Sequence, residues 1–166
     1  MREDYMIFYL FSQTNKKYEE FSKKIFGYYD KRKWFNYLSL ASVIQKEAAI
    51  TNEMPIVSSV IYNRLKKGMK LQMDGTLNYG EFSNTIVTAD RIRDDNTTYN
   101  TYKFTGLPKD PVCAVSLEAI KAAIFPVKSD YIYFVRENKT GLHKFAVTFE
   151  AHQANINANI GVAKTY

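Results

Sequence analysis

Residues 39–75 read SLASVIQKEAAITNEMPIVSSVIYNRLKKGMKLQMDG, and this stretch decides the fold of the chain. Its apolar residues recur every three to four positions, which predicts two consecutive amphipathic helices. The first is expected to begin at Ser39, a favourable N-cap residue, and to end near Ile50. The second carries Pro55 in its first turn, where the missing N–H costs no hydrogen bond, and Gly68 is suited to end it.

The flanking segments add a hairpin and further helices to this pair. Residues 15–26 are predicted as another amphipathic helix, whereas 69–115 contain turn residues without long periodic runs. A helix capped by Ser116, a β-hairpin within 131–147 and a last helix capped by Thr148 follow. The predicted fold class is α+β, with helices around a small antiparallel sheet or hairpin and long irregular loops that line a groove.

Composition narrows the class of protein. The chain has 166 residues and is 46% hydrophobic, enough to form a core, which excludes a disordered chain. The single cysteine, Cys113, excludes an internal disulfide, and two histidines, His143 and His152, leave little for a zinc site. The longest aromatic-apolar run near the start, Tyr5 to Phe11, is much shorter than the about 20 residues of a membrane span. We therefore expect no metal, no cofactor and no span in this chain.

The net charge of +6 is compatible with polyanion binding but does not identify it. The cluster Lys31-Arg32-Lys33 lies beside Trp34 and Phe35, and basic residues next to aromatic ones are one feature of single-strand nucleic-acid binders. A solvated turn next to a buried Trp explains the same pattern, and no nucleic-acid-binding module is recognisable. Nucleic acid is therefore not an expected partner.

Glu47 occupies an unusual place in the first predicted helix. It follows Ile44 by three positions and Val43 by four, which places it on the apolar face. A carboxyl group in apolar surroundings has a raised pKa, and a raised pKa suits a general acid near neutral pH. Periodicity alone leaves open the alternative of an ordinary Glu at the rim of the core, paired with an arginine such as Arg64.

Two polar segments of the irregular region are candidate binding loops. In an extended chain, Gln72, Asp74 and Thr76 point to one side and form a row of hydrogen-bonding groups suited to sugar hydroxyls. The alternative is an Asp-Gly hairpin turn. Residues 99–102, followed by Gly-Leu-Pro at 106–108, offer tyrosines for sugar stacking, and the alternative there is a packed Ω-loop that needs no ligand.

Many short segments from about residue 38 to the end share their order and spacing with a known protein family. They are, in chain order, LASVIQKE (40–47), VSSVIYNRLKKGMKLQMD (57–74), Thr76, Tyr79-Gly80, YNTY (99–102), GLP (106–108), YIYFV (131–135), Gly141, His143, Phe145, Thr148 and His152. Together they resemble the MltG/YceG-like family of endolytic murein transglycosylases. Residues 1–37 resemble only the variable lead-in, so 38–166 is the expected catalytic domain.

The resemblance implies a reaction. Family members cleave the MurNAc–GlcNAc bond inside peptidoglycan strands without using water. Glu47 is then expected to protonate the departing glycosidic oxygen and afterwards to accept the proton of the MurNAc C6 hydroxyl, which closes on C1 as a 1,6-anhydro end. Six further residues are expected to line the glycan groove: Gln72, Asp74, Thr76, Tyr79, Asn100 and Tyr102.

The resemblance also implies surroundings. Peptidoglycan strands are the expected substrate and cell-wall synthases the expected protein partners. The expected location is the periplasmic face of the bacterial inner membrane, through an N-terminal anchor that this chain does not contain. One departure concerns the loop after Asp74: relatives commonly read Asp-Pro-Thr where this chain has Asp74-Gly75-Thr76. Glycine at this position is expected to loosen the loop.

Two alternative functions stay open at this stage. The first is a muramidase-type hydrolase that uses Glu47 as acid and Asp74 as base or nucleophile. The second is a peptidoglycan-binding fragment without catalytic activity.

Overall fold

A computed structural model describes residues 3–83 and 85–160, and the predicted α+β class is confirmed. The helices are α1 (Glu3–Phe26), α2 (Lys31–Glu47), α3 (Met54–Lys66), α4 (Ala89–Asp94), α5 (Leu117–Ile124) and α6 (Phe149–Ile160); strands β1 (Tyr133–Arg136) and β2 (His143–Ala146) form one antiparallel pair. The chain divides into two compact units between Phe35 and Asn36. Within the described ranges, no helix has the length and apolar character needed to cross a bilayer.

The unit that ends at Phe35 contains α1 and a small aromatic cluster. The helix predicted at 15–26 is found, but it begins at Glu3, so the prediction was twelve residues short. Trp34 is buried, and its ring packs against the rings of Tyr18 and Phe21 at centroid distances of 5.7 and 6.0 Å. The interpretation of the basic cluster as a solvated turn beside a buried Trp is confirmed for Trp34 but wrong about the turn, because Lys31, Arg32 and Lys33 are the first residues of α2.

Helix α2 begins eight residues before the predicted start. The side chain of Asp30 accepts a hydrogen bond from the backbone N–H of Lys33 at 2.8 Å, which satisfies one of the free donors of the first turn. Ser39 is therefore not the N-cap. It lies buried inside the helix and donates a hydrogen bond to the carbonyl of Pro108 at 2.8 Å, so it holds a later loop against α2.

The core of the second unit lies between helices. Val43 and Ile44 of α2 and Val57, Val60 and Ile61 of α3 are fully buried, as their helical spacing predicts. Burial of each such side chain contributes about 1.5–3 kcal/mol relative to exposure. Helix α5 packs on α3 through small buried alanines, and its predicted Ser116 cap is confirmed by the hydrogen bond from Ala119 N at 3.1 Å.

The β-hairpin is attached to the core by side chains of α3. Asn63 Nδ2 donates to the carbonyl of Tyr131 at 2.9 Å, and Arg64 Nε donates to the carbonyl of Ile132 at 2.6 Å, just before β1. Pairing of Arg136 with His143 sets the register. Helix α6 begins after Thr148, whose side chain caps it as predicted, and packs on both strands.

The irregular segment between α3 and α5 is held by buried polar side chains. Asn100 has no exposed surface: its Nδ2 donates to the carbonyls of Ile92 and Asp95, both at 2.8 Å, and its Oδ1 accepts from Tyr102 N at 3.1 Å. These three bonds close the loop that contains α4, a helix of six residues that is too short to show periodicity.

We predict that Asn100→Ala destabilises the protein by about 2–4 kcal/mol, because it leaves two buried carbonyls and one N–H without partners. Urea or thermal unfolding measures the loss. Asn52→Ala, at an exposed position, is the matched control and is expected to change stability by less than about 0.5 kcal/mol. Equal effects of the two substitutions would contradict the role of Asn100 in closing the loop.

Candidate active site

Glu47 is the last residue of α2 and faces the loop that follows α3. The buried Val43 and Ile44 precede it on the same helix face, so the sequence prediction of its direction is confirmed. The alternative of a Glu paired with Arg64 is not supported, because no salt bridge involves Glu47 within the described ranges. Arg64 instead donates from Nη1 to the carbonyl of Leu71 at 2.7 Å.

A backbone amide binds the Glu47 carboxyl group. Gly75 N donates to Glu47 Oε1 at 2.7 Å, and no described residue bonds to Oε2. Burial raises the pKa of Glu47 to about 7; the Gly75 hydrogen bond opposes this rise, and the nearby charge of Asp74 adds to it. At neutral pH a substantial fraction of Glu47 therefore carries a proton.

Position 75 accepts only glycine in this backbone arrangement. A Cβ atom built there would lie 2.6 Å from Lys46 Cβ and 2.7 Å from Glu47 Oε1, both closer than van der Waals contact. Gly75 is buried, and its N–H is bound to the carboxyl group. The looser loop expected from glycine is therefore wrong, because glycine allows the loop to fasten directly onto Glu47.

Asp74 and Tyr102 form a hydrogen-bonded pair beside Glu47. Tyr102 Oη donates to Asp74 Oδ1 at 2.5 Å. Burial, together with this bond, raises the pKa of Tyr102 well above its ordinary value, so the phenol stays protonated and acts as a donor. Asp74 is exposed on the side of the loop that faces solvent, and its charge acts on Glu47.

A cleft of about 370 Å³ joins these groups to the C-terminal hairpin. Its lining includes Glu47, Gln72, Asp74 and Tyr102, with Arg64, Leu71 and Met73 beside them. The rest of the lining, here called the hairpin wall, comes from β1, β2 and α6: Phe134, Val135, Arg136, His143, His152 and Ile156. A cavity of about 550 Å³ lies elsewhere, along α3 and residues 126–130. The smaller cleft is the candidate site because it contains the carboxyl group with the raised pKa.

Glu53 fixes the hairpin wall to the end of α2. Its Oε1 accepts from His143 N and its Oε2 from the His143 ring Nδ1, both at 2.7 Å, while Ala49 N donates to Oε2 at 3.2 Å. Burial acts to raise the pKa of Glu53, but these hydrogen bonds outweigh it and hold the pKa below its usual value. An ionised carboxylate can only accept, so Nδ1 of His143 carries a proton.

The structure brings four of the seven predicted site residues into one cleft: Glu47, Gln72, Asp74 and Tyr102. Tyr79 lies outside the lining of that cleft and stacks on Tyr99 with ring centroids 4.3 Å apart. Thr76 and Asn100 are fully buried, and their side chains bond to other parts of the protein. Direct substrate contact by Tyr79, Thr76 and Asn100 stays a prediction without support from this geometry.

The extended arrangement predicted for 72–76 is wrong. Gln72 adopts a left-handed φ of +52°, and a 3₁₀ turn begins at Asp74, so no two-residue alternation runs through this segment. Thr76 turns inward and donates from Oγ1 to the carbonyl of Met73 at 2.8 Å. The Asp-Gly hairpin turn, the other interpretation, is also wrong, because Asp74–Thr76 form a 3₁₀ turn with no described strand on either side.

Sequence reasoning did not identify the residues of the hairpin wall as part of the site. His143 and His152 hold the hairpin and the last helix against their neighbours. His143 bonds to Glu53, and the His152 ring stacks on Tyr133 with centroids 5.1 Å apart, yet both also line the cleft.

Comparisons with known proteins agree with this architecture. The model of the YceG-like family matches residues 2–158. An endolytic murein transglycosylase of Streptococcus pneumoniae (strain D39) is 34% identical over 128 residues, 74% of this chain and 23% of the relative. One of Bacillus subtilis (strain 168) is 38% identical over 117 residues, 69% of this chain and 32% of the relative.

A solved structure shows the same fold. The crystal structure of a yceG-like protein from Listeria monocytogenes superposes with a TM-score of 0.72 at 35% identity, over 84% of this chain and 44% of that one. The chain thus spans between about a quarter and a third of the length of these two curated relatives. By family model, sequence identity and fold, the chain belongs to the YceG-like family.

Proposed function

We propose that this chain carries the catalytic site of an endolytic murein transglycosylase, which cleaves the MurNAc–GlcNAc bond within peptidoglycan strands. The observation that carries the proposal is Glu47: a carboxyl group with a pKa of about 7 at the wall of an open cleft, bonded through one oxygen to Gly75 N. The names of the relatives from Streptococcus pneumoniae and Bacillus subtilis support the same activity.

The hydrogen bond from Gly75 assigns the acidic proton. Because Oε1 accepts from Gly75 N, the proton of the neutral carboxyl group resides on Oε2. In the proposed first step, Oε2 gives this proton to the glycosidic oxygen while the bond from that oxygen to C1 breaks and its electron pair stays on the oxygen. The Gly75 N–H then stabilises the carboxylate that remains.

The second step uses the same carboxylate as a base. Oε2 accepts the proton of the C6 hydroxyl as that oxygen bonds to C1, which closes the 1,6-anhydro ring and restores neutral Glu47. No water enters, and the atoms balance between one strand and its two fragments. The negative charge of Asp74, oriented by the Tyr102 hydroxyl, stabilises the positive charge that develops at C1 between the two steps.

The substrate defines the rest of the proposal. Because peptidoglycan lies outside the cytoplasmic membrane, the proposal includes a location: the enzyme acts at the periplasmic face of the inner membrane. It acts there beside cell-wall synthases. The lead-in at 1–37 and the catalytic domain at 38–166 remain the proposed division of roles, and the family match starts within the lead-in, at residue 2.

We predict that Glu47→Gln lowers the rate of strand cleavage by at least about 100-fold, because the amide can neither give nor recover the proton. Mass spectrometry of the products from uncrosslinked strands is the measurement. Wild-type products are expected to end in anhydro-MurNAc, lighter by one water than reducing MurNAc.

Each alternative has its own outcome in this experiment. Reducing ends alone would establish a hydrolase that uses Glu47 with Asp74. Strands left equally intact by wild type and Glu47→Gln would establish a binding fragment without catalysis.

We predict that kcat/KM falls about tenfold per pH unit above a pKa near 7, because only neutral Glu47 can act as the acid. A profile that is flat from pH 6 to 9 would remove Glu47 from this role.

The pH dependence of the free energy of unfolding is an independent test of the pKa of Glu47. The pKa of Glu47 rises from 4.5 to about 7 on folding, so the wild type loses stability between these pH values. Glu47→Gln has no such loss, and its stability relative to wild type is expected to rise by roughly 3 kcal/mol from pH 4 to pH 8.

We predict that Gly75→Ala lowers kcat by about 100-fold, because its Cβ displaces the Glu47 carboxyl group from its position. Gly80→Asn is the matched control: Gly80 has open space around it and a φ of +55°, which Asn tolerates. Initial rates with thermal unfolding of both variants are the measurement. Equal rates for Gly75→Ala and wild type would show that the close approach at position 75 is not needed.

A further inference from the structure

Arg136 lies in the hairpin wall of the cleft that Glu47 also lines. It is the last residue of β1 and pairs in register with His143, so both side chains lie on the same face of the hairpin. His143 is bound to Glu53, which also bonds to Ala49 just after the catalytic helix. The hairpin face that carries Arg136 is therefore fixed relative to the acid.

The guanidinium group of Arg136 is oriented by the turn beside it. Its Nε donates to the carbonyl of Gly141 at 3.0 Å, and its own carbonyl accepts from Asn159 Nδ2 of α6 at 2.9 Å. Gly141 adopts a φ of +73°, a left-handed conformation that glycine supplies without strain. Arg136 is thus held at its backbone and at Nε, while its Nη1 and Nη2 make no hydrogen bond within the described ranges.

The neighbouring carboxylates are already engaged with other cations or donors. Glu137 pairs with Lys144 at 2.5 Å, and Glu53 bonds to His143. Among the described residues Arg136 forms no ion pair. An oriented guanidinium with two free nitrogens at a cleft is the arrangement that binds a carboxylate through two parallel hydrogen bonds.

We propose that Arg136 forms a subsite for a carboxylate of the peptide that a glycan strand carries, so that the enzyme selects strands by the charge of their peptides. The proposal rests on the proposed function, because it takes peptidoglycan as the ligand. Each MurNAc bears its peptide on a lactyl group, so a peptide branches from the sugar whose C1 faces Glu47. The Arg136 guanidinium group, on the hairpin side of the cleft, can bind a carboxylate of that peptide.

The experiment compares three forms of one uncrosslinked strand preparation. The first keeps its peptides with free carboxylates, the second has these carboxylates converted to amides, and the third has its peptides removed by an amidase. Wild type, Arg136→Gln and Lys144→Gln are tested on each. Lys144→Gln is the matched control, because it removes one positive charge from the same hairpin outside the lining of the cleft.

Wild type is expected to show a kcat/KM about tenfold higher on strands with free carboxylates than on amidated strands. In Arg136→Gln this ratio falls to about one, and in Lys144→Gln it stays at the wild-type value. The stripped strands, which carry a lactyl carboxylate where the amidase cut, are expected to be cleaved as slowly as the amidated ones; faster cleavage that depends on Arg136 would place the subsite at the sugar and overturn its assignment to the peptide. A wild-type ratio of one, an unchanged ratio in Arg136→Gln, or an equal fall in Lys144→Gln would overturn the subsite.

Binding separates failure of the subsite from failure of the proposed function. Labelled strands of the same three kinds are titrated with Glu47→Gln and with the double variant Glu47→Gln/Arg136→Gln. A Kd about tenfold weaker for amidated strands, lost in the double variant, supports the subsite even if wild type cuts no strand. Equal Kd values for free and amidated strands overturn it even if wild type is fully active.

Discussion

The hydrogen bond between Gly75 N and Glu47 Oε1 is the interaction on which the site depends. It joins the end of α2 to the loop that follows α3. Of the two carboxyl oxygens, only Oε2 stays free of hydrogen bonds to described residues. The same contact leaves no room for a side chain at position 75. One backbone amide therefore links the position of the carboxyl group to the conformation of the loop, while burial raises the pKa of Glu47 against the effect of that amide.

Helix α3 provides the frame that joins the hairpin wall to the rest of the cleft. Its buried face packs in the core, whereas Asn63 and Arg64 on another face bond to backbone carbonyls before β1, and Arg64 also bonds to the carbonyl of Leu71. One arginine thus contacts the chain segments that lead into both parts of the cleft lining. Its charge is used for carbonyls in a largely buried place, which explains why it does not neutralise Glu47.

The sequence predicted what periodicity and local chemistry control. The direction of Glu47, the caps at Ser116 and Thr148 and the hairpin follow from neighbours within a few residues. Thr76 and Asn100 could not be placed in this way, since their burial results from a 3₁₀ turn and from contacts with other parts of the loop. The hairpin itself was predicted, but its place beside Glu47 was not, because that place depends on the hydrogen bonds between His143 and Glu53, which are far apart in the sequence.

Glu53 and His143 are separated by 90 positions along the chain, and their bond joins the hairpin to the turn that follows α2. Helices α2 and α3 can form from local contacts. The cleft exists only after the chain between Glu53 and His143 has closed into a loop, and closing this loop has an entropic cost that local contacts do not offset. Glu47 and the helices around it therefore precede, in the order of the chain, the segment that completes the cleft. The cleft is assembled only when the C-terminal hairpin docks onto Glu53.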